Sequence, residues 1–159
     1  MYTARVQKVT LLCIGSVKES WAKDACAFYL ERLEHAAKLD VVELPASKEK
    51  DPEKQKRDES ARLIDSANKL GGALFVLDET GKGMTSQQFS ILVGAAKDQG
   101  THLVFLLGGA YGLIDDVKHA GKRIKLSDMT LPHELCRVVF FEQLYRATEI
   151  LKGSGYHHA

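Results

Sequence analysis

The sequence predicts an α/β fold, a single domain in which helices cover a parallel sheet. Three observations lead there. Apolar runs of strand length recur along the chain, and stretches of helical length separate them. Two of the runs, ALFVLD at 73–78 and LVFLL at 103–107, are apolar throughout, as strands covered on both faces are. Strands alternating with helices need crossover connections, and these favour parallel pairing. At 159 residues the chain has the size of one domain, expected to span 1–159.

The elements follow in order. VTLLCI at 9–14 reads as the first strand. Ser16 with Glu19 three residues on has the pattern of a capping box, so a helix is expected to open there. Trp21, Ala25, Phe28, Tyr29 and Leu33 would form the stripe that packs on the sheet. LDVVEL at 39–44 is the second strand. The segment 47–69 is crowded with alternating charge as far as Leu63 and reads as a mobile loop joined to a solvated helix, with a functional charge run as the competing reading. After the third strand, Thr85 and Gln88 form a second capping box, starting a helix that ends near Gln99 and Gly100. The fourth strand is LVFLL, and RIKL at 123–126 is a candidate for a shorter fifth. Pro132 suits the first turn of a last helix running to about Lys152, with Leu135, Val138, Val139, Leu144, Tyr145 and Leu151 on its apolar side.

Composition narrows the function classes. Apolar residues make up 45% and charged residues 27%, which matches a globular protein and excludes a disordered chain. No apolar run approaches the roughly 18 residues that span a bilayer. Arg5 and Lys8 precede a short apolar run, but Lys18 and Glu19 follow it at once, so the start reads as a strand of a cytoplasmic protein rather than a leader. Cys13, Cys26 and Cys136 are odd in number and scattered, suggesting reduced thiols and neither a disulfide framework nor a zinc site. A net charge of +1 differs from the strongly basic balance of a free-standing nucleic-acid binder, so any RNA contact must be local or shared with a partner surface. From Val117 onward seven Lys and Arg face four acids, tilting the basic surface toward the C-terminal third.

Three loops fall just after strand-like runs: DETGKG at 78–83, GGAYG at 108–112 and SDMTLPH at 127–133. Open α/β sheets bind ligands at the carboxyl ends of their strands, and glycines let a ligand approach the backbone amides. A Gly-Gly after a strand is also simply a tight turn. The loop after the first strand, GSVKES, lacks G-x-G-x-x-G, and no P-loop motif occurs, which counts against phosphate-centred cofactors.

The succession VLDETGK, LLGGAYGL, LSDMTLPHELCRVVFFEQLYRA and a terminal GSGYHH resembles the 23S ribosomal RNA pseudouridine N3-methyltransferases of the SPOUT superfamily. The resemblance runs from the first strand to the C-terminus; it is thin across 47–69 and specific from Leu74 onward. It implies a C-terminal trefoil knot built from the three loops, with S-adenosylmethionine bound bent inside. On matching positions, Leu77, Gly108, Leu126, Ser127, Asp128, Met129, Thr130 and Leu131 would line the cofactor site, while Gly109 and Gly112 shape the turn. It further implies a homodimer acting on the helix 69 loop of 23S rRNA in the assembled 70S ribosome, with no metal and no membrane partner.

Individual residues are weighed against plainer roles. His133 either meets the ligand loops or caps and packs. Glu142 and Arg146, spaced i, i+4, are a helical ion pair on spacing alone; the resemblance gives Arg146 a place in substrate binding and catalysis, where its planar fork suits a phosphate or a base carbonyl. Tyr156 and His157 match the family's ending and suit stacking on an unpaired base, against the alternative of a frayed terminus. An imide N3 must lose its proton, and His157 or Arg146 would manage it. A branched side chain at Gly108 is expected to fill the ligand's space with little cost to folding. Two other classes compete: a flavodoxin-like enzyme whose glycine loop holds another small molecule, and a ribosome-binding module without catalysis.

Overall fold

The computed structural model describes residues 7–158, so Arg5 and Ala159 lie outside the description. Five parallel strands form one sheet in the order β2-β1-β4-β3-β5. The strands are β1 (Gln7–Ile14), β2 (Ala37–Leu44), β3 (Ala73–Gly83), β4 (Leu103–Leu107) and β5 (Lys122–Lys125). The helices are α1 (Ser20–Leu33), α2 (Pro52–Leu70), α3 (Ser86–Gln99), the short α4 (Asp115–Lys118) and α5 (His133–Lys152). The expected α/β class with a parallel sheet is thus present.

Because side chains alternate along a strand, each strand serves two cores. Leu11, Cys13, Phe75, Leu77, Phe105 and Leu107 meet α1, α3 and α5 through Cys26, Leu33, Phe89, Val93, Phe140, Phe141 and Leu144. Leu12, Ile14, Val76, Val104 and Leu106 face the other way, against Leu63 and Ala67 of α2 and Val117 of α4. Phe105 is central to the first core, with rings of Phe75 and Phe140 at centroid distances of 5.4 and 4.8 Å.

Several local expectations are corrected. Helix α1 begins at Ser20 with Glu19 as its N-cap, and no side chain of that segment caps it. The turn that leads into it is held from afar: the Glu134 carboxylate of α5 accepts from the Lys18 and Glu19 N–H groups. Trp21 and Phe28 are 50% and 47% exposed, and the buried side of α1 is Ala22, Cys26 and Leu33. Tyr29, half-buried beside them, meets Tyr145 of α5 at a ring-centroid distance of 6.2 Å. Most of the segment 47–69 belongs to the 19-residue α2, which runs on to Leu70 and is opened by the Asp51 side chain, accepting from the Lys54 N–H at 3.0 Å, with Pro52 at its first position. Most of that helix is solvated, yet Glu59 and Ser60 are buried. β3 continues past Asp78 in a bulged extension, so that Lys82 and Gly83 pair with Ile124 and Lys125. On α5 the buried stripe is Arg137, Phe140, Phe141, Leu144 and Ala147; Leu135, Val138, Val139 and Tyr145 are half-buried and Leu151 is exposed.

The capping box on α3 forms as expected, with Thr85 accepting from the Gln88 N–H at 3.1 Å and Gln88 accepting from the Thr85 N–H at 2.8 Å. Thr85→Ala removes one half of it and is expected to lower stability by about 1 kcal/mol in urea unfolding, with an unchanged denaturant slope.

Candidate active site

All five strands run the same way, so the loops leaving β3, β4 and β5 gather at one edge of the sheet. Together with the start of α5 they enclose a cavity of about 610 Å³, within the range of small-molecule and cofactor sites. Leu77, Asp78 and Glu79 of β3 line it, as do the glycine loop from Leu107 to Leu113, Lys118 of α4, and His133 and Cys136 of α5. Seven of the eight residues expected at a cofactor lie on this wall: Leu77, Gly108, Leu126, Ser127, Met129, Thr130 and Leu131. Asp128 does not line the cavity; its side chain turns outward and pairs with Lys125 at 2.5 Å.

The cavity wall is braced from unexpected directions. In the glycine loop the Gly112 N–H donates to the Gly109 carbonyl at 3.0 Å, and Gly112 has a φ of +78°, which glycine adopts without strain. Ser60 of α2 accepts from the Ile114 N–H at 3.0 Å, and Glu59 accepts from the Ser47 N–H at 2.8 Å while resting against Gly109, where an added Cβ would lie 2.5 Å from its carboxylate. The charge-rich helix therefore supports the loop from behind. Leucine at 60 or a longer side chain at 109 would break that seat. At Gly108 an added Cβ would lie 2.9 Å from Leu113 and 3.0 Å from the Gly112 backbone. The close approach is thus internal to the loop, which corrects the expectation that substitution there would spare folding.

Across the cavity, Thr130 donates to Glu79 at 3.3 Å, tying the loop after β5 to β3. Burial opposes ionisation of Asp78, but hydrogen bonds from the Thr80 hydroxyl and N–H and the Lys118 ammonium at 3.4 Å outweigh it and hold its carboxyl below the usual range. The walls thus combine leucines and methionine with main-chain amides and one acid–base pair.

At the start of α5, Arg137 is almost wholly buried. It pairs with Glu43 at 2.5 Å, donates to the Ile14 carbonyl at 3.0 Å and to that of Gly15, and lies 3.4 Å from His133 Nε2. Burial, followed by the Arg137 charge, pushes the His133 ring below its ordinary pKa of 6.5. Burial also pushes the Cys13 thiol up to about 11, so this reduced cysteine stays protonated. Sequence reasoning passed over Arg137. The available signal was a lone charge at the spacing of Phe140, Phe141 and Leu144.

Arg146, Tyr156 and His157 form a second cluster at the far end of α5. Arg146 donates twice to Glu142, at 2.6 and 3.0 Å, and its guanidinium lies 4.8 Å from the centre of the Tyr156 ring. Tyr156 donates to the same carboxylate at 3.1 Å and packs on Tyr145. The i, i+4 pair exists, but as part of a cage that also orders the tail. Burial, then the Glu142 carboxylate, pushes the Tyr156 phenol up to about 12, so it acts as a donor and not as a base. Because a guanidinium only donates, the 3.1 Å contact from Arg146 Nη1 makes His157 Nδ1 an acceptor. Ten residues separate Arg146 from Cys136, the last cavity residue of the helix, or about 15 Å at 1.5 Å per residue. One chain therefore does not bring this cluster to the cavity.

Comparison with known proteins fits this geometry. The family model described as predicted SPOUT methyltransferase matches residues 7–157. The chain belongs to the SPOUT methyltransferase family. Its curated relatives include the ribosomal RNA large subunit methyltransferase H of Maridesulfovibrio salexigens, 41% identical over 155 residues, which cover 96% of this chain and 99% of the relative. The protein of the same name from Nitratidesulfovibrio vulgaris is 41% identical over 158 residues, covering 96% and 100%. These place this methyltransferase within the large-subunit methyltransferase H group. A solved structure of a probable methylase family protein from Haemophilus influenzae shares the fold, with a TM-score of 0.57 at 10% identity over 96% of this chain and 71% of that one. Among the described residues no group of three or more His, Cys, Asp or Glu is placed to hold a metal ion, and no helix is long and apolar enough to cross a membrane.

Gly108→Val is expected to weaken S-adenosylhomocysteine binding at least about tenfold, or 1.4 kcal/mol, by calorimetry. Because Leu113 and Gly112 must shift, thermal unfolding should fall as well; an unchanged melting temperature would show that the loop yields freely.

Proposed function

We propose that this enzyme transfers a methyl group from S-adenosylmethionine to N3 of a pseudouridine in the helix 69 loop of 23S rRNA, acting in the cytoplasm on the assembled 70S ribosome. The observation that carries the cofactor assignment is the cavity at the carboxyl ends of β3, β4 and β5, whose walls suit a bent, partly apolar, zwitterionic molecule. Leu77, Leu126, Met129 and Leu131 offer surfaces to an adenine, Gly108 leaves main-chain groups within reach of its edge, and Asp78 and Lys118 offer one charge of each sign to an amino-acid moiety. In this reading the three loops thread as the trefoil knot that the resemblance implies. Asp128 serves the site indirectly, by holding Lys125 at the rim.

The bound sulfonium supplies an activated methyl group, so positioning and removal of one proton are what remain for the protein. Arg146 and Tyr156 suit the substrate side: a cation and an aromatic ring beside the tail, where a loop nucleotide stacks and has a carbonyl or phosphate held. His157 Nδ1 already offers a lone pair and is the group we assign to the N3 proton, released from Arg146 as the base enters.

The distance of about 15 Å between cluster and cavity supports a homodimer in which the tail of one chain completes the cavity of the other. The half-buried Leu135, Val138 and Val139 of α5, beside the cavity, are the apolar surface for that contact. A net charge of +1 favours docking on a ribosomal surface over binding naked RNA.

Two measurements test this. Tritium transfer from S-adenosylmethionine should label unmodified ribosomes and leave protein-free 23S rRNA nearly unlabelled; equal rates on both would defeat the docking element. A chain lacking residues 156–159 should keep cofactor affinity within roughly threefold and lose on the order of a hundredfold in turnover, or about 2.7 kcal/mol. Mixed with Gly108→Val, which is inactive for the opposite reason, it should recover up to about a quarter of wild-type activity, since half the dimers then hold one complete site of two. No recovery after verified subunit exchange would place the tail in its own chain's site.

A further inference from the structure

Glu59 and Ser60 are buried polar groups that the proposed chemistry does not use. They are 4% and 0% exposed, on a helix whose other buried residues are the apolar Leu63 and Ala67. Taking a carboxylate out of water is costly unless it is bonded in return. No Lys, Arg or His among the described residues forms an ion pair with Glu59. The two side chains meet main chain instead: Glu59 Oε2 accepts from the Ser47 N–H at 2.8 Å, and Ser60 Oγ accepts from the Ile114 N–H at 3.0 Å.

We propose that Glu59 and Ser60 are positioning residues for the cofactor: they hold both ends of the glycine loop, 109–114, in the shape that binds it, and through Glu59 they tie that loop to the one after β2. Being consecutive on α2, they bring the two ends of the loop to one place. Glu59 Oε1 marks the first end, since a Cβ added at Gly109 would lie 2.5 Å from it, and Ile114 is the last. Between them the Gly112 N–H closes the turn on the Gly109 carbonyl. Residues 109–113 line the cavity, whereas Ser47, Glu59 and Ser60 do not, so these three act on a ligand only through the loop.

Glycines at 108, 109 and 112 would leave the loop many conformations if nothing held it, and a ligand that must first order its site binds more weakly. The geometry also shows which property of Glu59 matters. One oxygen reaches Ser47 and the other Gly109, so the length of the side chain sets both contacts. A carboxylate one methylene shorter withdraws from the loop, whereas glutamine has the same reach and keeps an acceptor for Ser47. Gly109 is not among the glycines with positive φ, so its backbone suits alanine. The obstacle to a methyl group there is Glu59 itself; Ile14 Cγ2, the next atom, is at an ordinary 3.4 Å.

This inference rests on the cavity being the cofactor site, and S-adenosylhomocysteine affinity by calorimetry, read beside thermal unfolding, tests both. Glu59→Gln should bind within about threefold of wild type, whereas Glu59→Asp, Ser60→Ala and Gly109→Ala should each bind roughly tenfold more weakly. Glu59→Asp and Gly109→Ala act on one contact, so the double variant should lose about as much as either alone rather than the product. Ala67→Gly, about two turns along the same helix, separates positioning from stability: it should lower the melting temperature and leave affinity within about threefold. Bound ligand should also slow amide exchange at Ser47 in wild type and Glu59→Gln but not in Glu59→Asp. If Glu59→Asp does not fold, Ser60→Ala set against Ala67→Gly decides. Wild-type affinity in Ser60→Ala and Glu59→Asp, equal affinities for the glutamine and aspartate variants, losses at 59 and 109 that multiply, or an equal loss in Ala67→Gly overturns the positioning role while the cofactor assignment stands. Exchange at Ser47 that ignores the ligand overturns the tie to the loop after β2. Wild-type protein that binds no S-adenosylhomocysteine overturns the cofactor assignment and the positioning role together.

Discussion

The structure depends on how α5 is seated. Phe140, Phe141, Leu144 and Ala147 press it onto the sheet between α1 and α3, and Phe140 lies against the central Phe105. Burying these four side chains contributes several kcal/mol at about 25 cal/mol per Å², which helps to offset the cost of taking the Arg137 charge into the same stripe. That seating fixes both ends of the helix at once. Its first turn becomes a wall of the cavity, its Glu134 holds the turn that leads into α1, and its last turns carry the Arg146 cluster. A shift of α5 by even one turn would disconnect all three.

The cavity has a second dependence, on α2. Loops that bind ligands need a rigid shape without a side-chain core of their own, because glycines supply the room. Here the rigidity is borrowed. Ser60 and Glu59 hold the glycine loop and the loop after β2 by main-chain hydrogen bonds, and Leu63 and Ala67 anchor the helix that carries them. The long charged face of α2 is solvent-facing; the function of the segment lies in the two polar residues that face inward.

What was legible in the sequence follows from this division. Strands β1 to β4, the capping box of Thr85 and Gln88, and the extent of α5 could be read because each is set by local pattern. The cavity was legible through glycine loops placed after strands, and its walls through family motifs. Local pattern failed wherever a partner came from far away in sequence. The entry to α1 is held by a carboxylate 115 residues distant, which no local pattern around Ser16 and Glu19 could reveal. Trp21 and Phe28 sit outward while Ala22, Cys26 and Leu33 face inward and Tyr29 meets Tyr145 of α5, a choice that only the packing of both helices discloses. Arg137 falls on the apolar stripe by its spacing, but the carbonyls and carboxylate that satisfy it come from the ends of β1 and β2, which no pattern within one helix shows.

The two ends of α5 divide the proposed chemistry by charge compensation. Arg146 is held by Glu142, with Tyr156 donating to the same carboxylate, so the cluster presents little free positive charge. Such a cation gains little from the general field of a polyanion, since a phosphate must compete with a carboxylate already at 2.6 Å. It gains more from a nucleotide that also stacks on Tyr156 and engages His157, because several contacts then replace the one surrendered. On the proposed reading, selectivity for a base presented by an ordered surface over loose RNA would follow from the same ion pair that orders the tail. On that reading, the net charge of +1 has the same consequence on a larger scale: general attraction to a polyanion is weak, so orientation would come from shape and from a few contacts made together.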